Sequence, residues 1–123
     1  MFLQLNHQRL DVYQYSKQFV VACYRLTRIF PSEEKFGMTS QIRRAALSVH
    51  LNVAEGASRK SDAERKRYYE IARGSLVEID AALDAANDLN FLAHYEINEL
   101  GELMVRLFKI LSRLMAQQPQ IDH

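Results

Sequence analysis

A chain of 123 residues with 48% hydrophobic and 25% charged residues has the size and composition of one globular domain. Its formal net charge of +1 argues against a strongly basic, histone-like binder, and its single cysteine excludes an intramolecular disulfide framework. No apolar run approaches the roughly 18 residues of a membrane span, and no signal-peptide pattern begins the chain, so we expect a soluble cytoplasmic protein.

The first helical pattern covers residues 9–29. Apolar residues recur there at spacings of three and four, which predicts one buried helix face made of Val12, Tyr15, Phe19, Ala22, Leu26 and Ile29. The Phe30-Pro31 pair is expected to end this helix, because the residue before a proline is disfavoured in the α region.

A second pattern predicts a helix over residues 40–56. Its core-facing residues are all aliphatic: Ile42, Ala45, Ala46, Val49 and Val53. We expect Thr39 or Ser40 to cap its first turn, since either hydroxyl can accept a hydrogen bond from a free backbone N–H. We expect Gly56 to end it in the left-handed conformation.

Two longer patterns complete the chain. Residues 61–64 (Ser-Asp-Ala-Glu) match a capping box and predict a helix over residues 62–90. Its predicted stripe is Tyr68, Ala72, Ser75, Leu76, Ile79, Ala82, Leu83, Ala86 and Leu89. A fourth helix is predicted over residues 95–116, with the stripe Ile97, Leu100, Met104, Leu107, Leu111 and Leu114. Residues 117–123 are predicted to be a flexible tail.

Four amphipathic helices joined by short connections predict an all-α fold, an antiparallel up-down-up-down four-helix bundle. We expect residues 1–123 to form this single domain. A three-helix bundle with a detached fourth helix is the alternative, and the regularity of the fourth stripe argues against it.

The residues that would carry catalysis or bind a cofactor are scarce. The four glycines lie too far apart for a phosphate-binding loop, and no histidine follows a glutamate by three residues, as a di-iron bundle requires. We interpret His50 as a helix-packing or interface residue rather than a ligand, and Cys23 as a small buried hydrophobe. The sequence therefore predicts no catalytic residue, cofactor, metal site or small-molecule substrate.

Three short segments carry more than helical periodicity. They are residues 41–46 (Gln-Ile-Arg-Arg-Ala-Ala), 52–56 (Asn-Val-Ala-Glu-Gly) and 74–78 (Gly-Ser-Leu-Val-Glu). Together they resemble the bacterial four helix bundle protein family, whose members include proteins encoded within 23S ribosomal RNA genes and the accessory variability proteins of diversity-generating retroelements. The resemblance implies a bundle that often forms a homopentameric ring. It implies no established activity for most members, and work with RNA and a reverse transcriptase for the markedly basic retroelement proteins.

The polar residues of these segments are predicted to form a network that sets helix register: Gln41, Arg43, Arg44, Asn52, Glu55, Gly56, Ser75 and Glu78. If the second and third helices fold back on each other, Gln41, Arg43 or Arg44 comes within reach of Glu78, and Gly74 allows close backbone approach. A carboxylate in the last turn of a helix opposes the helix dipole, so Glu55 is expected to pair with Arg59 or Arg65.

Charge is separated along the chain. Residues 41–73 hold eight Lys and Arg against four Asp and Glu, whereas residues 74–104 hold seven Asp and Glu and no Lys or Arg. Asp80, Asp84 and Asp88 repeat every fourth residue, where like charges repel. They form either a solvated face or a surface that pairs with a partner, including another copy of this chain.

Two functions are compatible with these features. The first is a non-enzymatic homo-oligomer, a ring of five by the resemblance, that acts as an assembly or scaffold module. The second is an RNA-associated accessory protein that binds nucleic acid or a reverse transcriptase through Arg59, Lys60, Arg65, Lys66 and Arg67, with Tyr68 and Tyr69 available to stack on bases.

Overall fold

The computed structural model describes residues 1–117, of which 78% are helical, without a strand in that range. Four α-helices form the body of the protein: α1 (Asp11–Thr27), α2 (Met38–Ser58), α3 (Asp62–Asp88) and α4 (Asn98–Ala116). Two short 3-10 turns precede α1 and α2, at Asn6–Arg9 and Ser32–Glu34. Of the predicted flexible tail, only Gln117 lies among the described residues.

The helices form an antiparallel four-helix bundle, as the sequence predicted. Each helix packs against its neighbours in the chain, and α1 packs against α4 to close the bundle. Within residues 1–117 the diagonal pairs, α1 with α3 and α2 with α4, bring no two Cα atoms within 8 Å of each other. The α1–α2 face is therefore opposite the α3–α4 face.

The core lies along the shared axis of the four helices. The largest fully buried apolar side chains come from every helix: Phe19, Leu26, Ile42, Ile79, Leu107 and Leu111. Every residue of the predicted α2 stripe is buried, but Tyr69 rather than Tyr68 faces the core of α3. The predicted first helix ends early, at Thr27, so Ile29 lies beyond α1 and is exposed. Thr27 is buried, with its hydroxyl donating to the Cys23 carbonyl at 2.9 Å.

Of the two predicted N-terminal helix caps, one is present and the other is wrong. Ser61 caps α3, with its Oγ accepting from the backbone N–H of Glu64 at 3.2 Å. The predicted cap of α2 at Thr39 or Ser40 is wrong, because α2 already begins at Met38 and Thr39 is buried. The Glu34 carboxylate instead accepts from the Met38 N–H at 3.3 Å, from the 3-10 turn before the helix.

The predicted role of Gly56 as a left-handed helix end is also wrong. Gly56 lies inside α2, which continues to Ser58, and no glycine within residues 1–117 has a positive φ. The left-handed residue that follows a helix is Asn90, with φ 63°, after α3. Asparagine tolerates this conformation, and the Phe91 N–H reaches back to the Ala86 carbonyl at 2.9 Å. Similarly, α4 begins at Asn98 rather than residue 95, after His94 with φ 66°.

The first residues of the chain lie outside the bundle. Residues 1–5, which we call the N-terminal arm, form no helix, and Phe2 and Leu3 are 86% and 75% exposed. The 3-10 turn that follows is fixed on the α1–α2 face. Gln14 donates to the Gln8 carbonyl at 2.7 Å, and the His7 ring meets the Tyr13 ring edge to face at 6.0 Å.

Candidate interface surfaces

The predicted polar network lies mainly between α2 and α3. Gln41 donates its side-chain N–H to the Glu78 carboxylate. Two turns further along α2, Ser48 Oγ and Ser75 Oγ are hydrogen-bonded at 2.9 Å, and within α2 Asn52 donates to the Ser48 carbonyl at 2.8 Å. These contacts align the two helices at two successive levels, which is the arrangement expected of residues that set register.

The two adjacent arginines of the motif have different surroundings. Arg43 turns towards α1, where its Nε donates to Thr27 Oγ1 at 2.8 Å and its guanidinium lies 4.7 Å from the centre of the Tyr24 ring. Arg44 is exposed on the outer face of α2. Successive residues of a helix differ by about 100° in direction, so only one of the two can face α1. Of the three predicted partners for Glu78, the structure selects Gln41.

The C-terminal end of α2 is held by contacts of Glu55 and Gly56. Glu55 pairs with Arg59 at 2.6 Å, and this hydrogen bond raises the pKa of Arg59 above its ordinary value. Gly56 lies against the ring of Tyr69, where an added Cβ would come within 2.8 Å of the ring. Burial raises the pKa of the Tyr69 hydroxyl. The close approach predicted at Gly74 is wrong, because a Cβ there would meet nothing within 4 Å.

The basic residues at the α2–α3 turn, which we call the basic turn, are Arg59, Lys60, Arg65, Lys66 and Arg67. Arg65 holds the turn together by donating to the carbonyls of Arg59 and Lys60 at 2.9 and 2.8 Å and by contacting the Asp62 carboxylate. The side chains of Lys66 and Arg67 make no hydrogen bond within the described part of the chain, and Arg67 is exposed.

The aromatic stacking expected beside the basic turn is not available in this structure. Tyr69 is buried in the core, and Tyr68 lies beneath the guanidinium of Arg59, 5.1 Å from the ring centre. From the sequence, Tyr68 was expected on the core stripe of α3 and both tyrosines were expected to be available for stacking, whereas in the structure Tyr69 faces the core. The rotation that buries Tyr69 leaves the basic turn with cations but without a free aromatic face.

The acidic residues of α3 lie on the opposite side of the bundle from α1. Asp80, Asp84 and Asp88 are all exposed, and Asp80 and Asp84 line an open groove of about 1110 Å³ between α3 and α4. Arg106 and Lys109 of α4 line the same groove. Acidic and basic residues are therefore less separated in the structure than along the chain, because α4 runs antiparallel to α3 and places basic residues beside the acidic half of α3.

An apolar surface continues this groove along the two helices. Leu76, Val77, Met104, Val105 and Phe108 line a depression of 260 Å³, which we call the apolar α3–α4 groove. Val77 and Val105 are 55% and 54% exposed. Neither valine was predicted from the sequence as part of a surface, because each lies next to, rather than on, a predicted core stripe.

His50 and Cys23 occupy packing positions. A hydrogen bond of 2.7 Å joins His50 Nδ1 and Ser16 Oγ, and the His50 ring lies 4.7 Å from the Tyr13 ring, so it links α2 to α1. Burial and, to a smaller extent, the charge of Lys17 lower the pKa of His50. Burial raises the pKa of the Cys23 thiol to about 12, which is the property of an inert core thiol.

Two further observations concern residues 1–117. No cluster of histidine, cysteine and carboxylate side chains in this range has the grouping that a metal ion requires. None of the helices in the range is both long and apolar enough to cross a membrane.

Comparison with known proteins identifies similarities in sequence and in fold. A sequence model of the 23S rRNA-intervening sequence protein family matches residues 8–113. A crystal structure of a protein of unknown function from the S23 ribosomal protein family of Bacteroides thetaiotaomicron superposes with a TM-score of 0.77. The two sequences are 21% identical over 86% of this chain and 96% of that chain, so the similarity is one of fold. Among curated proteins, none matches this sequence.

Proposed function

The chain belongs to the 23S rRNA-intervening sequence protein family, and from that premise we propose that it is a non-enzymatic, homo-oligomeric assembly or scaffold module. The observation that carries this proposal is the apolar α3–α4 groove, where Val77 and Val105 are each more than half exposed in the middle of long helices. Apolar patches rimmed by polar residues are typical of protein–protein contact sites.

The charges around the groove favour a contact between unlike surfaces of two copies. The acidic stripe of Asp80, Asp84 and Asp88 lies on α3, whereas the basic turn lies at the far end of the same helix. A head-to-tail contact between unlike surfaces closes into a ring when its rotation permits. The number five for such a ring is what the family resemblance implies.

Light scattering at micromolar concentration tests the proposal. We expect a mass of at least twice the 14.3 kDa of one chain, and a mass of one chain would contradict it. Val77→Asp should shift the mass towards the monomer, because the introduced charge would be buried in the contact. Val21→Asp provides a matched control, since Val21 is a half-exposed valine of α1 away from the groove.

A second candidate function is binding of RNA by the basic turn. Within residues 1–117, the side chains of Lys60, Lys66 and Arg67 make no hydrogen bond, which leaves their charged groups available for phosphates. Because Tyr68 and Tyr69 are covered, this contact would be electrostatic and independent of sequence.

Binding of a labelled single-stranded RNA at several salt concentrations tests this second function. We expect the logarithm of the binding constant to fall linearly with the logarithm of the salt concentration, with a slope of about −0.7 for each phosphate contacted. Lys60→Glu with Arg67→Glu should abolish binding. Arg25→Glu with Arg28→Glu makes the same charge change on exposed residues at the C-terminal end of α1 and should not. Absence of binding at low salt would contradict this function.

A further inference from the structure

We infer that the N-terminal arm of one subunit packs into the apolar α3–α4 groove of a second copy, with Phe2 and Leu3 as the side chains that enter it. This inference rests on the proposed homo-oligomeric function. It identifies the segment that each subunit contributes to its neighbour.

The tip of the arm is apolar and exposed, whereas its last residue, Leu5, is hydrogen-bonded to Gln8 of the following turn. Phe2 and Leu3 are 86% and 75% exposed, and residues 1–5 make no helix that could pair them with the core. The following 3-10 turn is fixed to the α1–α2 face by the contacts of Gln8 and His7. The exposed Phe2 and Leu3 side chains are therefore available to bind another surface, while the 3-10 turn fixes the segment to its own subunit.

The groove has the size and lining that the arm requires. Its volume is 260 Å³, whereas a protein cavity of about 150 Å³ accommodates a benzene molecule. It therefore has room for the Phe2 ring together with one aliphatic side chain. Leu76, Val77, Met104, Val105 and Phe108 form its lining, with the charged Asp80 and Lys109 at its edge.

The arm cannot reach the groove of its own subunit. The arm starts from the α1–α2 face, and the groove lies on the opposite α3–α4 face. Five extended residues span at most about 17 Å. Two packed helix layers, each about 10 Å across, separate the faces, and a path around the bundle is longer still. A second copy is therefore the source of the arm that fills the groove.

The charges beside the two surfaces are complementary. Residues 1–10 contain no acidic residue and end in the exposed Arg9 next to Leu10. The α3 edge of the groove presents the exposed Asp80, followed one turn later by Asp84. An arm inserted with its apolar tip in the groove brings the cation of its base towards these carboxylates. The resulting contact joins unlike surfaces, so each subunit gives one arm and receives another, as a closed ring requires.

Cysteine cross-linking between two co-expressed variants tests the inference. Phe2→Cys on a tagged chain and Val105→Cys on an untagged chain should form a disulfide between the two chains under mild oxidation, because bridged cysteines need Cα atoms within about 7 Å. The native Cys23 is buried, with its pKa raised to about 12, and does not compete. Phe36→Cys, at a loop residue that is 90% exposed, is the control and should not link to Val105→Cys.

Variants of the arm provide the second measurement. Phe2→Asp with Leu3→Asp should reduce the mass in light scattering to that of one chain, with helix content by circular dichroism unchanged. Gln4→Asp with Asn6→Asp places the same charge on the same segment and should leave the assembly intact.

The outcomes separate this inference from the proposed function. A wild-type protein with the mass of one chain would overturn both. An oligomer that keeps its mass after the Phe2 and Leu3 substitutions, and forms no disulfide between the chains, would overturn the arm contact alone. A disulfide within one chain carrying both cysteines would show that the arm folds back, and would also overturn it.

Discussion

The Cα of Gly56 in α2 lies so close to Tyr69 in α3 that a Cβ at residue 56 would be 2.8 Å from the Tyr69 ring. Tyr69 is buried, and the same added Cβ would also lie 3.1 Å from the Cβ of Tyr68. The ring therefore has no room to withdraw. The distance between α2 and α3 at this level depends on residue 56 having no side chain.

Gly56→Ala should lower the free energy of unfolding. Overpacking typically costs about 1–3 kcal/mol, which exceeds the gain of about 1 kcal/mol in helix propensity from glycine to alanine. Gly74→Ala is the matched control, because a Cβ there meets nothing within 4 Å, and it should raise the free energy of unfolding. Urea denaturation measures both. Equal effects of the two substitutions would contradict the importance of the Gly56–Tyr69 contact.

The helices could be predicted from the sequence, whereas several of their ends could not. Each predicted core residue of α2, from Ile42 to Val53, is buried, because apolar spacing depends only on the geometry of the helix itself. The start of α2 depends on Glu34, which reaches the Met38 N–H from the preceding 3-10 turn. No local pattern indicates that a side chain outside the helix will replace Thr39 or Ser40 as its cap.

The candidate surfaces were predicted in part. The acidic stripe of Asp80, Asp84 and Asp88 could be predicted from the sequence. The position of Lys109 beside Asp80 could not, because it depends on how α3 and α4 align. Similarly, the sequence left Gln41, Arg43 and Arg44 as equal candidates for Glu78. The rotation of α2 about its axis decides among them, and that rotation is set by packing on both sides.

Arg43→Lys should destabilise the protein, although the charge is conserved. Lysine cannot reproduce the hydrogen bond from Nε to Thr27 or the planar stacking on Tyr24. We expect a loss of about 1–2 kcal/mol in the free energy of unfolding. Arg44→Lys, on the adjacent exposed residue, should change it by less than about 0.5 kcal/mol. Thermal or urea denaturation distinguishes the two, and similar losses would contradict the assignment of Arg43 to the α1–α2 contact.

The pKa of His50 predicts how stability changes with pH. Burial, and secondarily Lys17, lowers this pKa in the folded state, so the unfolded chain takes up a proton first as the pH falls below about 6.5. The stability that neutral His50 contributes is fully present above that pH. It is lost as the pH falls from about 6.5 to the folded-state pKa.

His50→Asn should therefore reduce the loss of stability between about pH 7.5 and pH 5 relative to the wild type. His94→Asn is the control, because His94 is exposed and its left-handed backbone suits asparagine. Urea denaturation at both pH values measures the difference. An unchanged pH dependence in His50→Asn would show that other groups dominate this range.

Asp80→Lys with Asp84→Lys should weaken the assembly and leave the isolated subunit folded. Both side chains are exposed, and the introduced lysines repel each other and Lys109, as the aspartates repel each other, so we expect the free energy of unfolding to change by less than about 1 kcal/mol. The same change removes the carboxylates that face Arg9 of a neighbouring arm.

Glu33→Lys with Glu70→Lys changes the net charge equally at exposed residues away from the groove, and it should preserve the mass in light scattering. Loss of assembly with unchanged helix content by circular dichroism distinguishes an electrostatic contact from misfolding, because a misfolded variant loses both. If the Asp80 and Asp84 variant kept its full mass, the charges would have no part in the contact, and the apolar groove alone would hold the subunits together.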